Sequence, residues 1–116
     1  MTMIDDETRV RHMLSAARRA IDLLSGRERA DLDDDDVLAL AVVRLLEILG
    51  EAARAVSADL RARYPHVPWQ QMVGTRNRVI HAYFSVDLDI VWGIVRDELP
   101  GLVRDLEAMI VREGWG

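Results

Sequence analysis

The chain has no cysteine and no lysine, and its aromatic residues amount to 5%. Without cysteine, neither a disulfide framework nor a thiolate-held metal centre is possible. No apolar run approaches the roughly 18 residues of a membrane span, because charges interrupt every stretch. The N-terminus, MTMIDDETRVRH, places Asp5 and Asp6 where a signal peptide carries positive charge, and no apolar run follows. The expectation is a cytoplasmic protein that does not enter the membrane. Short alternating Val, Ile, Thr and Tyr runs between turn clusters are also missing, so no strand is expected.

What remains is 116 residues, 50% hydrophobic and 30% charged, with a net charge of -5. That length fits one domain over residues 1–116, able to bury roughly 65% of its unfolded surface. The acidic balance weighs against nonspecific nucleic-acid binding, which needs many phosphates neutralised. The charges are segregated, however. Asp31 and Asp33 to Asp36 form an acidic run, and Arg61, Arg63, Arg76 and Arg78 a basic stretch. All fifteen basic residues are Arg, a bias against Lys that by itself implies no chemistry.

The apolar period is helical. Val10, Met13, Leu14, Ala17, Ile21 and Leu24 make one stripe on a helix over about 5–25, with Gly26 as its stop. Residues 26–36 read as a polar loop whose last acids cap the next helix. Magnesium binding by the Asp run is the weaker alternative, since adjacent carboxylates do not by themselves build an octahedral cage. A second helix runs from Asp36 to about Ser57 with a wide apolar face. Gly50 lies inside it and costs about 1 kcal/mol against Ala, which implies a close backbone, either of this chain or of a second copy. Residues 58–64 continue as a further helical turn or two. Tyr64-Pro65-His66-Val67-Pro68-Trp69 breaks the helix, and a third covers 68–82. A fourth starts near Asp87, with a kink or restart at Pro100 before the last helix. The architecture expected is all-α, a bundle of four or five helices.

One stretch departs from plain bundle surface: Gly74-Thr75-Arg76-Asn77-Arg78-Val79-Ile80-His81-Ala82-Tyr83-Phe84. His81 can take or give a proton near neutral pH, and Arg76 offers a fixed positive fork to a phosphate or its transition state. Asn77 can orient a group, and Tyr83 brings a hydroxyl and a stacking face. Such a set fits metal-free phosphoryl chemistry on RNA, where the 2′-OH is the nucleophile. On an ideal helix, Arg76 and Tyr83 share a face, while Arg76 and His81 are about 140° apart. Spacing alone favours the plainer reading of helix-surface residues with a satisfied His near a helix end.

The ordered setting of these residues resembles the HepT-like toxin family of HEPN-domain ribonucleases. The matching pieces are Glu47 to Ala53, Tyr64-Pro65, Pro68-Trp69, Gly74 to Phe84, Val86 to Trp92 and Leu99-Pro100. The family signature, Arg, four residues, His, any residue, Tyr, is met by Arg76, His81 and Tyr83. Thr75 stands where a larger apolar residue is expected, and Ala82 where Gly is common.

The resemblance implies an antiparallel HEPN bundle that forms a homodimer, with two motifs facing across a cleft. It implies a metal-independent endoribonuclease toxin acting on tRNA or mRNA, with no cofactor and no metal. Arg76 and His81 would be the catalytic pair, with Asn77 and Arg78 in support. Tyr83 would be the residue to which an MntA-like nucleotidyltransferase antitoxin adds AMP, placing bulk and charge where RNA must enter. The alternative is a non-catalytic helical binding partner of a nucleotidyltransferase. Trp69 and Trp92 read as core or dimer-interface anchors, and Trp115 as exposed or a partner contact. His12 and His66 read as surface residues. Glu47 and Glu51 read as a solvated pair, or as acceptors for the site's arginines.

Overall fold

The two longest helices each begin on a side-chain cap. In α1 (Asp6–Leu24), Asp5 accepts the Thr8 N–H at 2.8 Å, and Asp6 and Glu7 face the positive end of the helix. In α3 (Asp36–Ala55), Asp35 accepts the Leu38 N–H at 3.0 Å. The computed structural model describes residues 5–82 and 85–116. Gly26, with φ +74°, ends α1 as expected. The apolar stripes of α1 and α3 meet, and Val10, Met13, Ala17, Val42, Leu46, Leu49 and Ala53 are sealed between them and their neighbours. Burying each large side chain contributes about 1.5–3 kcal/mol, which makes this contact the main stabilising element.

The segment read as a polar loop contains one helical turn, α2 (Asp31–Asp34). Leu32 explains it: this side chain is 1% exposed and anchors the turn on the core. Arg29 braces it from outside, reaching Asp33 at 3.1 Å and Asp89 at 2.7 Å. The acidic run thus serves as turn, cap and ion-pair partner. Helix α4 (Ala58–Arg63) follows as expected, capped by Ser57. Ser57 also donates its N–H and hydroxyl to the Asp6 carboxylate at 2.9 and 2.6 Å, which ties the α3–α4 joint to the start of α1.

The helix expected over 68–82 is the largest correction. It divides at Gly74 into α5 (Trp69–Val73) and α6 (Thr75–Val79). The chain then becomes extended. Strand β1 (Ile80–Ala82) pairs antiparallel with β2 (Ser85–Val86), with Ile80 opposite Val86. Two causes are local. Val79 and Ile80 are β-branched and favour an extended backbone. The Asp87 N–H donates to the Val79 carbonyl at 2.7 Å, using an acceptor that a continuing helix would need. Thr75, where a larger apolar residue was expected, is fully buried, with its hydroxyl donating to the Gln71 carbonyl at 3.2 Å.

The interruption expected at Pro100 comes earlier. Helix α7 (Leu88–Gly93) widens into a π-helical turn over Ile94–Glu98 before α8 (Leu99–Arg112). The Leu99 N–H reaches back five residues to the Ile94 carbonyl. Pro100 has no N–H to give, so the wide turn absorbs the mismatch without separating the two helices. At the far end Gly114, with φ +74°, closes α8, as the Trp115 N–H returns to the Ile110 carbonyl at 3.0 Å. Trp115 is accordingly part-buried against the core, not an exposed tail residue, and its carbonyl accepts from Arg11 at 2.6 Å. Trp69 is core, while Trp92 is part-buried beneath the Arg96 guanidinium. The architecture is all-α, with one short hairpin. No helix among the described residues is long and apolar enough to cross a membrane.

Candidate active site

Gly50 opens the site. An added Cβ would sit 3.0 Å from the Met72 carbonyl oxygen, so the close backbone inferred from the sequence is α5 of the same chain. The contact lays α5 and α6 across α3 and leaves a groove of about 250 Å³ beside it. Gly50 and Val73 are its apolar lining, and Glu47, Glu51, Arg54, Arg76 and Asn77 are its polar lining.

Arg76 and Asn77 are exposed on α6, and among the described residues neither has a side-chain hydrogen-bond or ion-pair partner. Glu47 and Glu51 share the groove with them, but their ion pairs are long contacts to Arg44, at 3.9 and 4.0 Å. The groove therefore presents cationic and amide donors opposite two carboxylates.

Arg78 differs, although it stands only two residues from Arg76. Its two terminal nitrogens donate to both oxygens of Glu98, at 2.8 and 2.6 Å. Gln71 donates to the same carboxylate at 2.9 Å. The hydrogen bond to Glu98 raises the Arg78 pKa further, against a smaller opposing effect of burial. The fork of Arg78 thus fastens α6 to the π-helical turn.

His81 lies on β1, not on a helix, and its side chain is 56% exposed. Its Nε2 stands 3.3 Å from Asp87 Oδ2. The other oxygen of Asp87 accepts the Ile90 N–H at 3.1 Å and so caps α7. These contacts, the cap first and His81 second, hold the Asp87 carboxyl below the ordinary carboxylate range. The structure brings Arg76 and Asn77 into the groove, while His81 is not among the groove's lining residues. Tyr83 lies outside the described residues, and the helix that would align it with Arg76 ends at Val79. His12 and His66 are exposed, as expected.

Sequence reasoning missed two partners. Asp87 was legible as a helix start, but its contact with His81 depends on the hairpin. Glu98 lies 20 residues from Arg78 and gives no local signal.

Residues 13–109 match the family described as Ribonuclease HepT-like. A protein of Methanocaldococcus jannaschii assigned as an RNase is 36% identical over 95 residues, covering 82% of this chain and 87% of its own. Another so assigned, from Caldanaerobacter subterraneus subsp. tengcongensis, is 33% identical over 102 residues, covering 88% and 91%. A protein of Thermococcus cleftensis named as a ribonuclease HepT is 37% identical over 75 residues, covering 65% and 68%. No solved structure matches. With matches of this extent over its α1, α3 and α6 elements, the chain belongs to the HepT-like family of HEPN ribonucleases.

Proposed function

We propose that this protein is an endoribonuclease that cuts RNA without a metal, using the RNA's own 2′-OH. The observation that carries the reading is the contrast on α6: Arg78 is fully engaged by Glu98, while Arg76 and Asn77 stand open in a groove. An uncommitted guanidinium beside an amide donor suits a phosphodiester whose charge grows in the transition state. His81 would take the 2′-OH proton as the 2′ oxygen attacks phosphorus. The P–O5′ bond breaks, and the departing 5′ oxygen recovers a proton. The products are a 2′,3′-cyclic phosphate, which water can open to a 3′-phosphate, and a 5′-hydroxyl. The net acidic chain would meet RNA through a local cationic surface, and a homodimer would place two copies of Arg76 at one cleft.

Cleavage in excess EDTA, with end-group analysis of the fragments, tests the reading. The expected result is cleavage that survives chelation, leaves cyclic phosphate ends and is lost in His81→Ala. A strict magnesium requirement would overturn the mechanism, and full activity in His81→Ala would overturn the assignment of that residue.

The regulatory reading goes with it. An MntA-like nucleotidyltransferase would silence this toxin by adding AMP to Tyr83. Incubation with such an enzyme and ATP should add AMP mass to the wild type and none to Tyr83→Phe. Silencing of the wild type without a mass change would refute that role.

A further inference from the structure

We propose that Asp87 is a positioning residue for His81, and that it fixes which imidazole nitrogen faces the substrate. The inference rests on the reading of His81 as the proton-transfer group. Three contacts of Asp87 tie the hairpin to the end of α6 and the start of α7. Its backbone N–H closes on the Val79 carbonyl at 2.7 Å. Its Oδ1 caps α7 through the Ile90 N–H at 3.1 Å, and its Oδ2 faces His81 Nε2 at 3.3 Å. His81 is more than half exposed and sits on a strand of three residues, so packing alone does little to orient its ring. The carboxylate supplies the missing restraint from a rigid place, because a helix cap cannot rotate without losing the N–H it holds.

The consequence for the proton follows from the donor inventory. An ionised carboxylate only accepts, so it favours the neutral tautomer with hydrogen on Nε2. The lone pair then lies on Nδ1, the nitrogen turned away from Asp87, and that nitrogen receives the 2′-OH proton. As the imidazole becomes charged, the same carboxylate stabilises it. The protein thus stores an acceptor of defined direction on an exposed strand.

Two substitutions separate this role from the cap. Asn and Ser both cap helices well, so Asp87→Asn and Asp87→Ser keep α7. Asn, however, can offer its NH2 to Nε2, which favours hydrogen on Nδ1, and Ser is too short to reach the ring. Two-dimensional 15N NMR of the His81 ring, recorded where the imidazole is neutral, should show the Nε2–H form in wild type. It should show a shift toward the Nδ1–H form in Asp87→Asn and a mixture in Asp87→Ser. Cleavage should lose about 10²-fold in kcat in both variants with KM little changed, the size expected when a general base is present but misdirected. Thermal midpoints should fall only slightly, through loss of the charged carboxylate, with the fold retained. An unchanged tautomer in Asp87→Asn would overturn the proposal, as would wild-type kcat. If wild-type protein cuts no RNA at all, the nuclease reading fails, and the tautomer experiment still decides the role of Asp87.

Discussion

The two faces of α6 carry the same residue type to opposite ends. On one face, Arg78 makes a two-pronged bond to Glu98, part-buried and shared with Gln71. On the other, Arg76 stands exposed in the groove with no partner among the described residues. The first guanidinium is committed to holding the helix, and the second is held available by it. A five-residue helix, too short to be stable alone, thus presents an exposed guanidinium rigidly. Its anchor comes from the π-helical turn on one side and from the Gly50 contact with α5 on the other.

The largest effect should come from the open face. Arg76→Ala should lower kcat/KM about 10²–10³-fold while the melting temperature holds, the loss typical of one donor aimed at developing charge. RNA cleavage measured beside calorimetry checks both halves. If cleavage persists, the open arginine is not the phosphate ligand.

The next effect should come from the support beneath α6. In Gly50→Ala the new methyl meets the Met72 carbonyl at 3.0 Å, and that carbonyl belongs to a helix that cannot easily retreat. Overpacking of about 1–3 kcal/mol should exceed the roughly 1 kcal/mol gained in helix propensity, so the melting temperature falls. Cleavage should fall with it, because α5 and α6 move together.

The closed face should respond more mildly. Glu98→Gln keeps a hydrogen-bond acceptor for Arg78 but removes the charge, at a cost of about 1–2 kcal/mol in urea unfolding. Its effect on cleavage should be small beside that of Arg76→Ala. An equal loss in both would mean that the two faces do not divide the labour.

The smallest effect lies far from α6 and calibrates the others. Glu113 accepts from Arg63 and from the Tyr64 hydroxyl, each at 2.6 Å. The Arg63 bond first, and the Tyr64 bond second, hold its carboxyl below the ordinary value of 4.5. A depressed carboxyl stabilises the fold above its unfolded value. That contribution is lost as pH falls below about 4.5 and through the folded value. Glu113→Gln should remove this part of the acid sensitivity while leaving the dependence at neutral pH unchanged, as thermal melts across pH will show.

Much of the scaffold was legible in the sequence because it is local. The stripe from Val10 to Leu24 and the acids before each helix give α1 and α3 to within about two residues at each end, the ordinary scatter of helix boundaries. Gly50 announced a close backbone, although only the structure shows whose it is. The residues of the site were legible through the 74–84 stretch and its family resemblance. Their arrangement was not, because a helical reading carries the period across Val79, where β-branching and the Asp87 N–H turn the chain extended. Glu98 and Asp87 act over 20 and 6 residues through a π-helical turn and a hairpin, neither of which leaves a period to count.

The groove beside Gly50 divides its inheritance unequally. Its apolar lining is a glycine and Val73, set where main chain nearly touches main chain, so its depth is fixed by the crossing of two helices. Its remaining lining, Glu47, Glu51, Arg54 and Asn77 beside Arg76, is side chain that the core does not require. Mutational drift can therefore rewrite the charge and hydrogen-bonding groups of the groove while its shape stays constant. Relatives sharing this backbone would be expected to part company in the charge of this groove long before they part company in fold.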